Sequence, residues 1–184
     1  VSATKRNVFY TGVDNPVSIS VSGMADTKIE PRISVGEIRR SGNDWIVRVP
    51  DGVHKAVVSV TADGKSMGSN EFRIKRVPDP TATIANVTSG NIEKNRLLAA
   101  NAIIPTMPAD FEFDLTFRIT SFRFVAVRSG DIFERQSSGN QFTEEMRTYV
   151  QNARRGDRVW LEDIYATGPD GGTRKLGTIN LTLQ

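Results

Sequence analysis

The chain has 184 residues, no Cys and a single His, His54. That composition excludes a disulfide framework, a thiol nucleophile, iron–sulfur ligation, Cys-based zinc sites and two-histidine acid–base schemes. With 38% apolar and 24% charged residues and a net charge of only +3, the chain has the balance of a folded globular protein.

Period-two alternation dominates and predicts half-buried strands. Val17-Ser18-Ile19-Ser20-Val21 is the first, followed by Gly23. Trp45-Ile46-Val47-Arg48-Val49 is the next, stopped by Pro50-Asp51-Gly52. A strand over 56–62 runs into Asp63-Gly64, a two-residue hairpin signal, and Phe72 to Val77 returns with Phe72 and Ile74 inward. Short strands with a turn about every ten residues describe a small antiparallel sandwich. Residues 26–32 and 129–140 read as polar loops able to touch a partner.

Pro78-Asp79-Pro80 denies ladder donors and holds the backbone extended, so a stiff connector is expected at 78–80. Beyond it, residues 90–102 read as a strand or short turn, although Leu97, Leu98, Ala99 and Ala100 have helical propensity. The stretch from Phe111 to Ile119 alternates most regularly and is expected to be the core strand of the second domain. The parity slips at Ser121-Phe122, as a β-bulge would produce. One helix is expected near 142–155, with an apolar stripe of Phe142, Met146, Tyr149/Val150 and Ala153. Asn140 or Thr143 would cap it, Glu144 and Glu145 fill its first turn, and Arg154 and Arg155 its last, before Gly156. Strands over 158–166 and 175–183 follow, joined by the turn-rich Gly168-Pro169-Asp170-Gly171-Gly172.

Candidate chemistry is sparse. His54 lies near Asp51 and Ser59 but in no nucleophile motif, and reads as a surface or packing residue. Glu112 and Asp114 share a strand face, the spacing of any wet face as well as of a carboxylate pair. Glu162 and Asp163 are adjacent, so a regular strand sends them to opposite sides. No phosphate-binding glycine loop, calcium loop or metal cluster is present, and no cofactor is expected. Asn86-Val87-Thr88 and Asn180-Leu181-Thr182 match the glycosylation triplet, a pattern common by chance. The basic clusters Arg39-Arg40, Arg73-Ile74-Lys75-Arg76, Arg154-Arg155 and Arg174-Lys175 are separated by acids and lack interleaved aromatics, so no nucleic-acid partner is expected. The apolar runs are too short to span a membrane. A start at Val1, without Met or signal peptide, reads as a piece of a longer protein.

Several segments together are familiar. Asn7-Val8-Phe9-Tyr10-Thr11-Gly12-Val13-Asp14-Asn15-Pro16 resembles the opening of the third periplasmic domain of the GldM/PorM family. Gly64-Lys65, Gly68-Ser69 and the stretch from Phe72 to Pro80 resemble that domain's end and the linker to the fourth. Phe111-Glu112-Phe113-Asp114-Leu115, Arg155-Gly156-Asp157 and Gly168-Pro169-Asp170-Gly171 resemble the C-terminal domain. The resemblance implies an inner-membrane protein of the type IX secretion and gliding machinery of Bacteroidota. Its N-terminal membrane helix, expected outside this chain, works in a proton-driven motor. Its periplasmic domains form a dimeric shaft whose far end contacts a ring of periplasmic and outer-membrane lipoprotein components.

The expectation is therefore a mainly β chain of two consecutive β-sandwich (Ig-like) domains, 1–77 and 81–184, the second with one packed helix. It is expected to be non-enzymatic, a homodimeric structural and interaction module in the periplasm. Docking is expected at the two glycine-bearing connectors of the terminal domain, through Ser129, Gly130, Asp131, Gly139, Asn140, Asp170, Gly171 and Arg174. The alternative is a carbohydrate-binding or adhesin-type sandwich using Trp45, Trp160, Tyr10 and Tyr165 as a platform, and a hydrolase acting through Glu112 and Asp114 is a third reading.

Overall fold

A computed structural model describes residues 2–3, 7–111 and 113–184. The chain is mainly β and divides into two compact β-sandwich-like units, Val1–Val77 and Pro78–Gln184.

The first unit contains β1 (Ser2–Ala3), β2 (Val8–Tyr10), β3 (Asn15–Ser18), β4 (Ile29–Ile33), β5 (Glu37–Ser41), β6 (Asp44–Arg48), β7 (Lys55–Ala62) and β8 (Lys65–Lys75). They form two four-stranded sheets, ordered β1-β3-β6-β5 and β2-β8-β7-β4. Alternation along β3, β6, β7 and β8 sends Val17, Val47, Ala56, Val58, Val60, Phe72 and Ile74 into one core, where Phe9 stacks on Phe72 with centroids 4.3 Å apart. Asp63 and Gly64 make the tight β7–β8 turn that their sequence predicts. Two expectations change here. Residues 26–32 are not a loop, because after one 3-10 turn at Asp26–Lys28 they enter β4. Ile29 is buried and Pro31 is tolerated because β4 is an edge strand. The strand at Val17 ends at Ser18, although Ile19 remains buried beyond it.

The second unit contains β9 (Thr81–Thr83), β10 (Ser89–Ile92), α1 (Lys94–Ala100), β11 (Ile104–Thr106), β12 (Arg118–Arg128), β13 (Asp131–Ser137), α2 (Glu144–Asn152), β14 (Arg158–Thr167), β15 (Thr173–Lys175) and β16 (Ile179–Leu183). Its main sheet runs β10-β16-β14-β12-β13, with β15 also on β14, and β9 pairs β11 in a separate ribbon. The β10–β16 pairing is parallel. On the inner face, Phe122 and Phe124 meet Phe142, and Phe124 also meets Tyr149 of α2. Met146 and Val150 of α2 and Leu97 of α1 are fully buried.

The segment 90–102 is a strand followed by a helix, so the helical propensity of Leu97 to Ala100 prevails. Asn101 ends α1 in the left-handed region at φ 50°. The expected strand over 111–119 begins only at Arg118. Its partner β14 ends at Thr167, opposite Arg118, so the described residues before Arg118 have no β14 ladder to join. Their backbone makes local bonds instead: Phe111 N–H to Pro108 O and Leu115 N–H to Phe113 O. Phe111 and Phe113 stack at 5.7 Å. Glu112 lies outside the described residues.

The bulge expected at Ser121 is present, as register shifts on either side of that residue. It lets Ile119 and the opposite-parity Phe122, Phe124 and Ala126 all face the core. β14 slips beside it, where Asp163 has φ 48°, so Val159 and Leu161 precede the slip and Ile164 and Ala166 follow it, all buried.

The helix α2 starts as predicted. Thr143 Oγ1 accepts from Met146 N–H at 3.4 Å, and the Met146 sulfur accepts from Thr143 N–H. Its end differs: Ala153 is extended, and Arg154 and Arg155 lie beyond the helix. Lys94 of α1 supplies the cation at that end, donating to Ala153 O at 2.7 Å and Gln151 O at 3.2 Å. The segment 175–183 is two strands, because β15 ends at Lys175 and β16 starts at Ile179.

Candidate docking surface

Residues 129–140, expected as a loop, are mostly the strand β13. The β12–β13 hairpin closes through Ser129 and Gly130 at φ 53° and 88°, both left-handed as a type I′ turn requires. Ser129, Gly130 and Asp131 are exposed at this tip, whereas Gly139 and Asn140 are half-buried. Asn140 Nδ2 donates to Ile103 O at 3.3 Å, and Ile103 N–H to Asn140 O at 2.8 Å. That pairing turns Asn140 inward, away from the tip.

The turn end of the hairpin is tied to the loop after α2. Arg128 donates twice to Asp157 Oδ2, at 2.9 and 3.2 Å, and once to Asn152 O. Its guanidinium lies 4.9 Å from the Tyr149 ring centre, and Tyr149 stacks on Phe133 of β13 at 4.5 Å. The Arg154 N–H, then Arg128, hold the Asp157 carboxyl below its ordinary range against the opposing effect of burial. Burial raises the Tyr149 phenol, and its hydroxyl is buried without a hydrogen-bond partner among the described residues.

The second connector corrects an expectation. Arg174 was expected at the surface, yet its side chain is only 2% exposed. It donates to Asp170 Oδ2 at 2.7 Å and to Asp79 Oδ1 at 2.9 Å, and lies over the Phe117 ring at 4.8 Å. A buried guanidinium is stable only when its charge is paired, and these two carboxylates pair it. Burial opposes ionisation of Asp170, but the Gly172 N–H and Arg174 hold its carboxyl below the ordinary range. Gly168 makes room for this packing, since a Cβ there would lie 2.7 Å from both Phe117 and Asp170. Gly171 remains exposed and Asp170 is half-buried.

On the outer sheet face Arg123 contacts Glu134, Glu162 and Asp163 at 3.2, 3.1 and 3.0 Å, and Lys175 contacts Asp163 at 2.6 Å. Glu162 and Asp163 therefore act on the same side. The left-handed backbone of Asp163 breaks the alternation that would separate them. Lys175, then Arg123, hold the Asp163 carboxyl low, while the Glu134 hydrogen bond leads the upward shift of Arg123. Two cations and three carboxylates thus form one surface ion-pair network.

His54 is exposed, and its backbone carbonyl accepts from Ile74 N–H at 2.8 Å. Asp114 is exposed outside any strand. Among the described residues no group of three or more His, Asp or Glu could hold a metal ion. Trp45 and Trp160 are half-buried, and Tyr165 is partly covered by Lys175.

Family models match both units in order. Residues 1–75 match the GldM third domain and residues 78–184 the GldM C-terminal domain. The chain belongs to the GldM family. GldM is an inner-membrane-anchored structural component of the type IX secretion and gliding machinery with a periplasmic C-terminal region. Among the described residues no helix is long and apolar enough to cross a membrane. No curated protein matches the chain. Solved structures similar to it include domains 4 and 5 of the S-layer protein SbsC, at 12% identity and TM-score 0.32 over 89% of this chain and 74% of that one. The Yersinia pseudotuberculosis adhesin InvE matches at 15% identity and TM-score 0.22 over 89% and 50%. The human mucin-like protocadherin EC1-2 matches at 10% and 0.23 over 97% and 96%. Likeness this distant carries no argument about function.

Proposed function

We propose that this chain is the distal periplasmic part of a shaft that couples an inner-membrane, proton-driven motor to the ring and outer-membrane lipoprotein components of the secretion and gliding machinery. The observation that carries the reading is the consecutive match of the two units to the third and C-terminal GldM domains. Two copies associate as a homodimer, and the terminal unit docks through the exposed turn Ser129 and Gly130, with Gly171 on the second connector. A force transmitter of this kind works through stiff packed units and exposed turns, without a nucleophile or metal. Immobilised chain exposed to a native envelope extract, with captured proteins identified by mass spectrometry, tests it. Recovery of periplasmic ring and outer-membrane lipoprotein components is expected, weakened by Ser129→Trp. Absence of those components overturns the coupling role, and capture unchanged by Ser129→Trp or Pro169→Trp overturns the choice of turns.

A further inference from the structure

We propose that β13 pairs antiparallel with β13 of a second copy of this chain, about a two-fold axis passing beside Phe133. The proposal rests on the homodimer reading above and names the surface that makes it.

β13 ends the main sheet, and among the described residues its one strand partner is β12. It has seven residues, without Pro or Gly, in unbroken register with β12 from Phe122↔Ser137 to Arg128↔Asp131. Such an edge presents a row of backbone donors and acceptors ready for another strand. The other sheet ends are blunted: β4 carries Pro31, β10 carries Gly90, β1 and β2 have two and three residues, and β5 sets Arg39 beside Arg40. Ile132 on β13 is 70% exposed, the highest of the exposed large apolar residues, and sits opposite Val127 at 43%.

Symmetry and charge select the occupant and the register. A two-fold axis perpendicular to a sheet sets residues of the same face opposite one another, so the pairing must centre on a residue. Centred on Glu134 it opposes Glu134 to itself, and centred on Arg135 it opposes two guanidinium groups. Both are unfavourable like-charge pairs. Centres at Ile132 or Gln136 leave only three residues of overlap within the strand. Centred on Phe133, Asp131 of each copy faces Arg135 of the other, twice per dimer, and Ile132 faces Glu134. Asp131 has no ion-pair partner among the described residues and is exposed. Arg135 touches Glu145 and lies over its own Phe133 ring at 4.8 Å, so it sits beside the proposed axis. Phe133, half-buried on Tyr149, gains the second copy's Phe133 as its remaining neighbour.

The mass of the 184-residue chain is followed by sedimentation equilibrium for wild type, Asp131→Arg and the double variant Asp131→Arg/Arg135→Asp. Both positions are exposed. Asp131→Arg is expected to raise the dimer dissociation constant about tenfold or more, and the double variant to recover most of the loss. The chain has no cysteine, so disulfide trapping has no background. Ile132→Cys protein mixed with Glu134→Cys protein is expected to form the mixed dimer, and neither variant to cross-link alone. A monomer at every concentration, a dimer indifferent to Asp131→Arg, or self-cross-linking of Glu134→Cys overturns the proposal. Ring capture by a monomeric chain would remove this interface and leave the coupling role standing. A dimer with the stated cross-links that captures no ring component would do the reverse.

Discussion

Asn15 is 1% exposed and fully engaged. Its Oδ1 accepts from Tyr10 N–H at 2.7 Å, and its Nδ2 lies within hydrogen-bond distance of the carbonyls of Tyr10, Val13 and Val47 at 2.9, 3.0 and 3.1 Å. Asn15→Leu removes these hydrogen bonds from a buried position and is expected to cost about 2–3 kcal/mol, read from denaturant unfolding. At Tyr149 the sign reverses. Removing its unpartnered buried hydroxyl as Tyr149→Phe is expected to leave stability unchanged or raise it by up to about 1 kcal/mol. The depressed Asp157 and Asp170 give a pH dependence of definite sign. Their folded values lie below the unfolded one, about 3.9, so between the two the unfolded chain binds more protons. Their contribution is complete above the unfolded value and is lost as pH falls through the folded values. Melting followed from about pH 6 to about 2.5, roughly the span of carboxylate titration, checks this, and Asp157→Asn should flatten the acid limb.

At the scale of elements, α2 depends on a cap that its sequence announces and on a stripe that meets Phe124. Thr143→Ala removes the acceptor for Met146 N–H and is expected to cost about 1 kcal/mol. Met146→Ala, fully buried, is expected to cost about 2–5 kcal/mol. Thermal unfolding of the two variants separates cap from core. The start of α2 was legible in sequence because capping is local chemistry. Its end was not, because the cation there is Lys94, distant in sequence and brought in by α1.

For the whole molecule, each unit has its own core, and Pro78 opens the second unit. A fragment of residues 78–184 is therefore expected to fold alone. A fragment starting at Thr81 loses Asp79 and leaves Arg174 with Asp170 as its one remaining carboxylate of the two observed. Its melting temperature is expected to fall by several degrees, as a loss of about 1–2 kcal/mol does in a domain of this size. Equal melting of the two fragments would show that Asp79 contributes nothing to the unit.

By itself the sequence determined the β-rich class, the β7–β8 hairpin, the bulge near Ser121 and the start of α2. Each is written in alternation, turn chemistry or capping over a few neighbouring residues. The tertiary structure alone decided that Phe113 to Thr116 form no strand, that Glu162 and Asp163 face one way, and that residues 131–137 are an edge strand. It also turned Arg174 from an expected surface contact into a buried tie between Asp79 and Asp170. Strand pairing and charge burial depend on which distant segment lies alongside, and neither alternation nor composition encodes where a neighbouring strand ends.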